Sequence, residues 1–196
     1  MANVGRPRTF DRDEALKKAM HVFWEKGYEG TTMADIIESI GMKAPSIYAA
    51  FGNKDAIFKE VVTQYLPIVV NGQLGALNAT QDIREAVANT LQECVRLFTG
   101  KDNPRTCLIM TAAINASPEN QQHVDSLKML RSDYKKAWKA RFTQAQKDGQ
   151  LNDSQSPEVL AEYFVTVIHG MAMRAKDGAT REQLSNTIKL AIKILD

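Results

Sequence analysis

The side chains best suited to meeting a polyanion lie close together between Thr31 and Lys54, in TTMADIIESIGMKAPSIYAAF and the residues just after it. Lys43, Ala44, Ser46, Tyr48 and Ala49 alternate there with apolar Ile36, Ile37, Ile40, Ile47 and Phe51. An ammonium, a hydroxyl and a phenol can bond phosphate oxygens. Lysine and serine can also reach base edges, and alanine methyls can touch thymine methyls. A second basic feature is Gly5-Arg6-Pro7-Arg8. A narrow A·T-rich minor groove attracts arginine, and Pro7 keeps such an arm extended. The alternative for those four residues is a solvated tail.

Other chemistry finds little support. The chain carries no GxSxG, Walker A, GxGxxG or HExxH pattern, so nothing marks an enzyme. His21, His123 and His169 are scattered without metal-ligand spacing, and neither a metal nor a cofactor is expected. The two cysteines, Cys94 and Cys107, form no CxxC pair. Cys107 follows Pro104-Arg105-Thr106 near an expected helix start, where a thiolate is favoured. It reads either as a small buried side chain or as a redox or electrophile sensor.

The elements that must hold these residues are all helical. Asp11 and Glu14 suggest a capping box for a helix over 11–26, with Leu16, Ala19, Met20 and Phe23 as its apolar stripe and Gly27 at its end. Thr32 caps a second helix with Asp35 at N3, and Gly41 closes it. Pro45 suits the first turn of a third, from about Ala44 to Ala50. Asn53 caps a fourth, which Pro67 should end or kink. Two helices joined by a turn at Gly41-Met42 are what a helix-turn-helix requires.

Beyond it the spacing predicts helices from about Asp82 to Phe98, from Pro104, and from Ser117-Pro118-Glu119 to Gly149 as one helix or two. Another follows Ser156-Pro157-Glu158, and a last one follows the Thr180–Gln183 capping box. Linker-like stretches are Gly72 to Thr80, Gly100 to Asn103 and Gly149 to Gln155.

Composition sets the outer bounds. The 196 residues are 44% hydrophobic, enough for a core, yet no run approaches the roughly 18–20 apolar residues that cross a bilayer. MANVGRPRTF has no apolar h-region, so the expectation is a cytoplasmic protein without a membrane partner. A net charge of +2 would not by itself point to DNA.

From Thr9 to Val62 the sequence resembles the DNA-binding domain of the TetR family of bacterial regulators. The matching pieces are FWEKGYEGTTMADIIESIGM and SIYAAFGNKDAIF, above all Tyr48, Phe51 and Lys54 followed by Asp55. The resemblance implies an all-α protein of about nine helices. A flexible basic arm would occupy 1–8, a three-helix helix-turn-helix domain 9–60, and an effector-binding and dimerisation domain 61–196. It implies that Thr32, Tyr48 and Lys54 meet phosphates, that Lys43, Ala44 and Ser46 lie near base edges, and that Phe51 packs. Ala49 would share the outward face. Arg6 and Arg8 resemble the core of an AT-hook, like arms in some relatives. Lys43-Ala44-Pro45 departs from the Ser/Thr-Lys-Gly of many relatives, so base preference does not carry over.

The segment IHGMAMRAKDGATREQL is similar to one near the end of some TetR-type regulators, where the last two helices pair with their twins. Leu160, Phe164, Ile168, Met171, Leu184, Ile188, Ile192 and Leu195 would supply that interface or a core stripe. A pocket among the central helices would be lined by Leu97, Phe98, Cys107, Leu108, Met110, Thr111, Phe142 and Phe164. The expected function is a ligand-responsive regulator, a repressor released from its operator by an unknown small-molecule effector. It would act as a homodimer on pseudo-palindromic double-stranded DNA. The alternatives are thiol sensing through Cys107, an enzyme of unknown type, and a non-specific architectural DNA binder.

Overall fold

The computed structural model describes residues 11–101 and 103–196. The arm expected at 1–8, with Arg6 and Arg8, lies outside the described residues. All regular structure among the described residues is helical.

Helix α1 (Arg12–Lys26) begins at Asp11, whose side chain accepts the N–H of Glu14 at 3.1 Å. The expected box is thus half formed: Asp11 caps, and Glu14 supplies only its backbone. The buried face is Ala15, Leu16, Ala19, Met20, Phe23 and Trp24. Gly27 ends the helix at φ +71°, where a side chain would be strained. Helix α2 (Met33–Ile40) starts from a complete capping box between Thr32 and Asp35 and stops at Gly41, φ +76°. A cap of this kind stabilises by about 1 kcal/mol. Helix α3 (Ala44–Phe51) buries Ile47 and Phe51, and α4 (Lys54–Pro67) starts at Asn53, which caps Ala56.

The α-helical winding of α4 stops at Pro67, as expected, but the rod does not end there. The chain winds on as a π-helix over Ile68–Leu74 and closes with a last α turn, Gly75–Leu77. Proline removes one donor and crowds the carbonyl four residues back, and wider winding accommodates both. The stretch expected as a linker from Gly72 is therefore helical to Leu77. This long rod also crosses the expected domain boundary at residues 60 and 61 without a break.

The second half wraps around that rod. Helix α5 (Ile83–Thr99) is capped by Asp82 and buries Val87, Leu91, Cys94, Val95 and Phe98. The helix expected from Pro104 is one turn only, α6 (Leu108–Thr111), with Cys107 at its N-cap. After a 3-10 turn at Pro118–Asn120 comes one unbroken helix, α7 (Gln121–Lys147). Then follow α8 (Pro157–Lys176) and α9 (Arg181–Ala191), the latter extended by a 3-10 turn, Ile192–Leu195.

The expected pairing stripe resolves in favour of the core. Leu160, Phe164, Ile168, Met171, Leu184, Ile188 and Leu195 are buried within the single chain, and Ile192 packs against them. The cause is the position of α5, which lies against α8 and α9 and covers their apolar faces. The apolar side chains that α8 and α9 leave exposed are others: Val159, Met173, Leu190 and Ile194.

Candidate nucleic-acid interface and ligand cavity

The outward face of α3 follows from its inward one. Ile47 and Phe51 point into the core, and Arg12 stacks its guanidinium 4.6 Å from the Phe51 ring centroid while pairing with Glu60 at 2.7 Å. With that side pinned, Lys43, Ser46, Tyr48 and Ala49 are exposed and Ala44 half-buried. Tyr48 keeps 49% of its surface open, which is unusual for a tyrosine beside a core. Pro45 shares this face, although its residue type gave no reason to place it there. Lys43 is the N-cap of α3 and makes no side-chain cap bond. The N–H of Ser46 closes onto its carbonyl at 3.0 Å. Proline has no N–H, so the first turn of α3 offers an outside acceptor the N–H of Ala44.

Thr32 is exposed, as expected of a residue that meets phosphate, but its hydroxyl is engaged. It donates to Asp35 Oδ2 at 2.7 Å and accepts the Asp35 N–H at 3.1 Å. Lys26 pairs with the same carboxylate at 2.7 Å. These bonds hold the Asp35 carboxyl well below the usual carboxylate range, with the Lys26 hydrogen bond first and the Thr32 backbone N–H next. The N–H groups of Met33 and Ala34, which no helical carbonyl can reach, remain for a phosphate.

Lys54 corrects the expectation. Its ammonium turns inward and donates to the carbonyls of Tyr28 and Thr31 at 3.2 and 3.1 Å, lying 4.2 Å from the centroid of the Tyr28 ring. The physical reason is the exit from α1: the turn after Gly27 leaves carbonyl oxygens without helical donors, and a cation on the next helix satisfies them. Lys54 therefore fastens the α1–α2 turn to α4.

Its neighbour Asp55 does the same from the other side. Tyr28 donates its hydroxyl to Asp55 Oδ1, and His123 Nε2 lies 3.2 Å from the same oxygen. The Tyr28 hydrogen bond holds the Asp55 carboxyl below its usual range, with a smaller push from His123. His123 is 2% exposed, with its ring 4.2 Å from that of Tyr28 and 5.0 Å from that of Phe58. A buried histidine on α7 thus grips the helix-turn-helix. The sequence shows only an isolated His123, and no local spacing could have revealed this partner.

A cavity of about 220 Å³ opens between α4, its π-helical continuation, α6, α7 and α8. Leu66, Val69, Val70, Gln73 and Leu74 form one wall, Cys107, Ile109 and Met110 a second. Leu130, Arg131, Asp133 and Tyr134 from α7 and His169 from α8 complete it. Of the expected lining residues, Cys107 and Met110 are there. Phe98, Leu108, Phe142 and Phe164 are fully buried core, the last two stacked with centroids 5.6 Å apart and Trp138 against both. Leu97 faces a separate hollow with Ile68 and Arg96, and Thr111 faces a polar one beside Gly27 and Lys176. Helical periodicity finds an apolar face but does not tell a filled interior from a hollow one. Two residues of the π-helical wall, Gln73 and Leu74, fall in the stretch that reads as a linker in the sequence.

Cys107 is 2% exposed, and Tyr65 donates its hydroxyl to the sulfur at 3.5 Å. Burial pushes its thiol up, against smaller opposing effects from Tyr65, the N–H groups of Met110 and Ile109, and Arg131. Burial thus outweighs the helix start, and of the two readings the sequence left open the small buried side chain is the one this geometry favours. Among the described residues no cluster of His, Cys, Asp or Glu could hold a metal ion.

This arrangement has known counterparts. The profile of the bacterial regulatory proteins of the tetR family matches residues 15–61, and that of the tetracyclin repressor-like C-terminal domain matches 84–189. The HTH-type transcriptional repressor ComR of Escherichia coli (strain K12) is 33% identical over 92% of this chain and 86% of its own. The chain belongs to the TetR family of bacterial regulatory proteins. It is a DNA-binding transcriptional regulator, in a family of regulators rather than enzymes.

Among solved structures, a cysteine-substituted form of the TetR-family regulator CifR, complexed with 26-bp double-strand operator DNA, is 37% identical with TM-score 0.89. The match covers 96% of this chain and 98% of that one. AibR, crystallised with isovaleryl coenzyme A and operator DNA, is 19% identical at TM-score 0.72 and shares the fold.

The TetR fold joins its two halves here through α6. The backbone N–H of Tyr28 bonds the Ala112 carbonyl at 2.5 Å, and the indole N–H of Trp24 bonds the Thr106 carbonyl at 3.0 Å. Glu29 accepts the Ser117 N–H at 2.6 Å and the Asn120 amide at 2.8 Å. The residues on either side of the single turn that forms a cavity wall, Thr106 before it and Ala112 after it, are therefore bonded to Trp24 of α1 and to Tyr28 just beyond its end.

Proposed function

We propose that this TetR-family chain is a homodimeric repressor that binds a pseudo-palindromic operator in double-stranded DNA and leaves it when a small molecule enters the cavity. The observation that carries the reading is the α3 face. Lys43, Ser46, Tyr48 and Ala49 stand exposed on a helix whose other side is locked by Ile47 and Phe51. A major groove about 12 Å wide admits such a helix. Relatives support the sign of the regulation, since ComR and BdcR of Escherichia coli (strain K12) are both named repressors. CifR on operator DNA supports the target.

One helix of eight residues reads few base pairs, and two-fold pairing is the usual remedy. The outward apolar residues of α8 and α9, Val159, Met173, Leu190 and Ile194, suit that pairing. The division into a reading part (9–60) and a sensing and pairing part (61–196) is functional, since α4 runs through both. The arm at 1–8, with Arg6 and Arg8, adds minor-groove contacts. Among the described residues no helix is long and apolar enough to cross a membrane, which supports action in the cytoplasm. The reading gives the chain no catalytic step.

Release requires that the effector bind the DNA-competent and incompetent states unequally. The route is short: a ligand against Cys107, Ile109 and Met110 displaces α6, and α6 is bonded to Trp24 and Tyr28. The thiol reading keeps one supporting fact, that Cys107 faces this cavity and would meet an electrophile admitted to it. Fluorescence anisotropy tests the main reading, comparing DNA upstream of the protein's own and adjacent genes with bulk DNA at one salt concentration. A specific site bound about 10³-fold or more tighter is expected. Equal binding to both would leave only a non-specific binder.

A further inference from the structure

We propose that the cavity takes a small monocarboxylate with an apolar body, about the size of benzoate, whose carboxylate is bonded by Arg131 and by the amide of Gln73. The inference rests on the reading above that this cavity is the effector site, and it names the chemical class of that effector.

The first observation is Arg131. It lines the cavity from α7, and its Nη1 donates to the Ile109 carbonyl at 2.8 Å. A guanidinium has five donor hydrogens, so one such bond leaves capacity. Among the described residues no carboxylate pairs with it. Asp133 also borders the cavity, but its carboxylate is exposed and is paired with Lys136 at 2.8 Å. A cation against apolar walls without a counter-ion is unfavourable, and an anion entering the cavity relieves it.

The second observation is independent. Gln73 is 2% exposed, its Oε1 accepts the Tyr134 hydroxyl at 2.8 Å, and its Nε2 has no partner. A buried donor left unmatched costs free energy that a ligand acceptor restores. Gln73 borders this cavity, so beside the charged donor of Arg131 a turn of the Gln73 amide brings a second one to a ligand, and a carboxylate answers both.

The rest of the ligand must be apolar. Leu66, Val69, Val70, Leu74, Met110 and Leu130 surround the remaining space. A dry cavity of about 150 Å³ holds benzene, and scaling by volume to the 220 Å³ here gives about nine non-hydrogen atoms. Benzoate and hexanoate are of that size. A single guanidinium balances a single charge, which favours a monocarboxylate over a phosphate ester.

The experiment is calorimetric titration of the full-length protein with benzoate and hexanoate, each against its primary amide. At least one acid is expected to bind, at least tenfold tighter than its amide. Arg131→Gln should abolish that preference and Arg131→Lys restore part of it. Gln73→Leu should weaken the acid; because it also strands the Tyr134 hydroxyl, the melting temperature should fall by a few degrees while the helical content at about 25 °C stays near that of the parent. Equal binding of acid and amide, or unchanged acid binding in Arg131→Gln, overturns the carboxylate assignment and leaves the cavity as effector site. Failure of both acids to bind overturns it too. Acid binding that survives both Val70→Trp and Leu130→Trp, which crowd the cavity from opposite walls, places the acid elsewhere and overturns the assignment.

Discussion

Lys54 is where family resemblance and structure part, and one substitution separates them. A lysine that grips DNA phosphate contributes little to folding. A lysine that caps the α1–α2 turn contributes to folding and leaves the hold on phosphate unchanged. Lys54→Met keeps the aliphatic stem and removes the ammonium, with its bonds to the carbonyls of Tyr28 and Thr31 and its approach to the Tyr28 ring. A hydrogen bond from a charged donor contributes about 1.5–3 kcal/mol. The group is only half-buried and water can replace part of it, so the low end applies, about 2 kcal/mol for the set. For a chain of this length each kcal/mol moves Tm by about 2–4 °C, so a drop of about 4–8 °C is expected. Operator binding by the folded variant should keep the salt dependence of the parent. If Lys54 neutralised a phosphate in each protomer, its removal would instead reduce the slope of log K against log salt by about 1.8. That smaller slope with an unchanged Tm would refute the reasoning.

Tyr48→Phe removes one hydroxyl per protomer, at about 0.5–1.5 kcal/mol each, and should weaken operator and bulk DNA alike, by about 5- to 150-fold in gel-shift titrations of the dimer. Lys43→Ala should instead lower the ratio of specific to bulk binding, measured with single-base operator variants, because Lys43 leads α3 toward base edges. Asp55 titrates below its unfolded value because Tyr28, and less strongly His123, bond its charged form. Its stabilisation is thus present above the ordinary carboxylate range near pH 4 and is lost as pH falls through the folded value. Acid unfolding of Asp55→Asn followed by circular dichroism should accordingly depend less on pH than that of the parent. Leu190→Asp combined with Ile194→Asp should yield monomers by sedimentation, since both side chains are exposed on the proposed pairing face. Alkylation of Cys107 by iodoacetamide should be slow in the native protein and fast in denaturant, because burial keeps the thiol neutral.

The helix-turn-helix was legible because its signals are local. Thr32 with Asp35, Gly41, Pro45 and Asn53 are caps and stops that act within four residues, and each does so in the structure. The exposed face of α3 follows from the same periodicity that buries Ile47 and Phe51. What escaped the sequence depends on residues far apart in the chain. Lys54 turns inward because of carbonyls some 25 positions earlier, and His123 reaches Asp55 across 68. The cavity escaped for another reason. Phe142 and Phe164 occupy apolar positions of the same kind as Val69 and Met110, and only the facing helix decides whether the space between is filled. Pro67 marks the end of α4 as its residue type requires, but nothing local showed that the chain would continue as a π-helix rather than leave the rod.

The strongest constraint on how such a protein responds to a ligand is the smallness of α6. One turn of helix has too few internal bonds to hold its own position, so its place is set by its neighbours. Those neighbours lie on both sides of the regulatory question. Arg131 holds the Ile109 carbonyl from the cavity side, while Trp24 and Tyr28 hold the carbonyls of Thr106 and Ala112 from the DNA side. The second link tolerates little adjustment, since a Cβ on Gly27 would sit 3.2 Å from the Ala112 oxygen. A ligand that moves the guanidinium therefore either moves α6 or breaks its bond to the Ile109 carbonyl, and a moving α6 must in turn shift the end of α1 or break a bond to it. Trp24→Phe tests this directly. It frees the buried Thr106 carbonyl at about 1–3 kcal/mol of stability and removes one of the two bonds, leaving α3 untouched. Operator affinity without ligand should stay within a few-fold of the parent, and the ratio of affinities with and without effector should shrink. A full ligand response in a folded Trp24→Phe protein would show that the signal reaches α3 by another path, through His123 and Asp55 on α7 and α4.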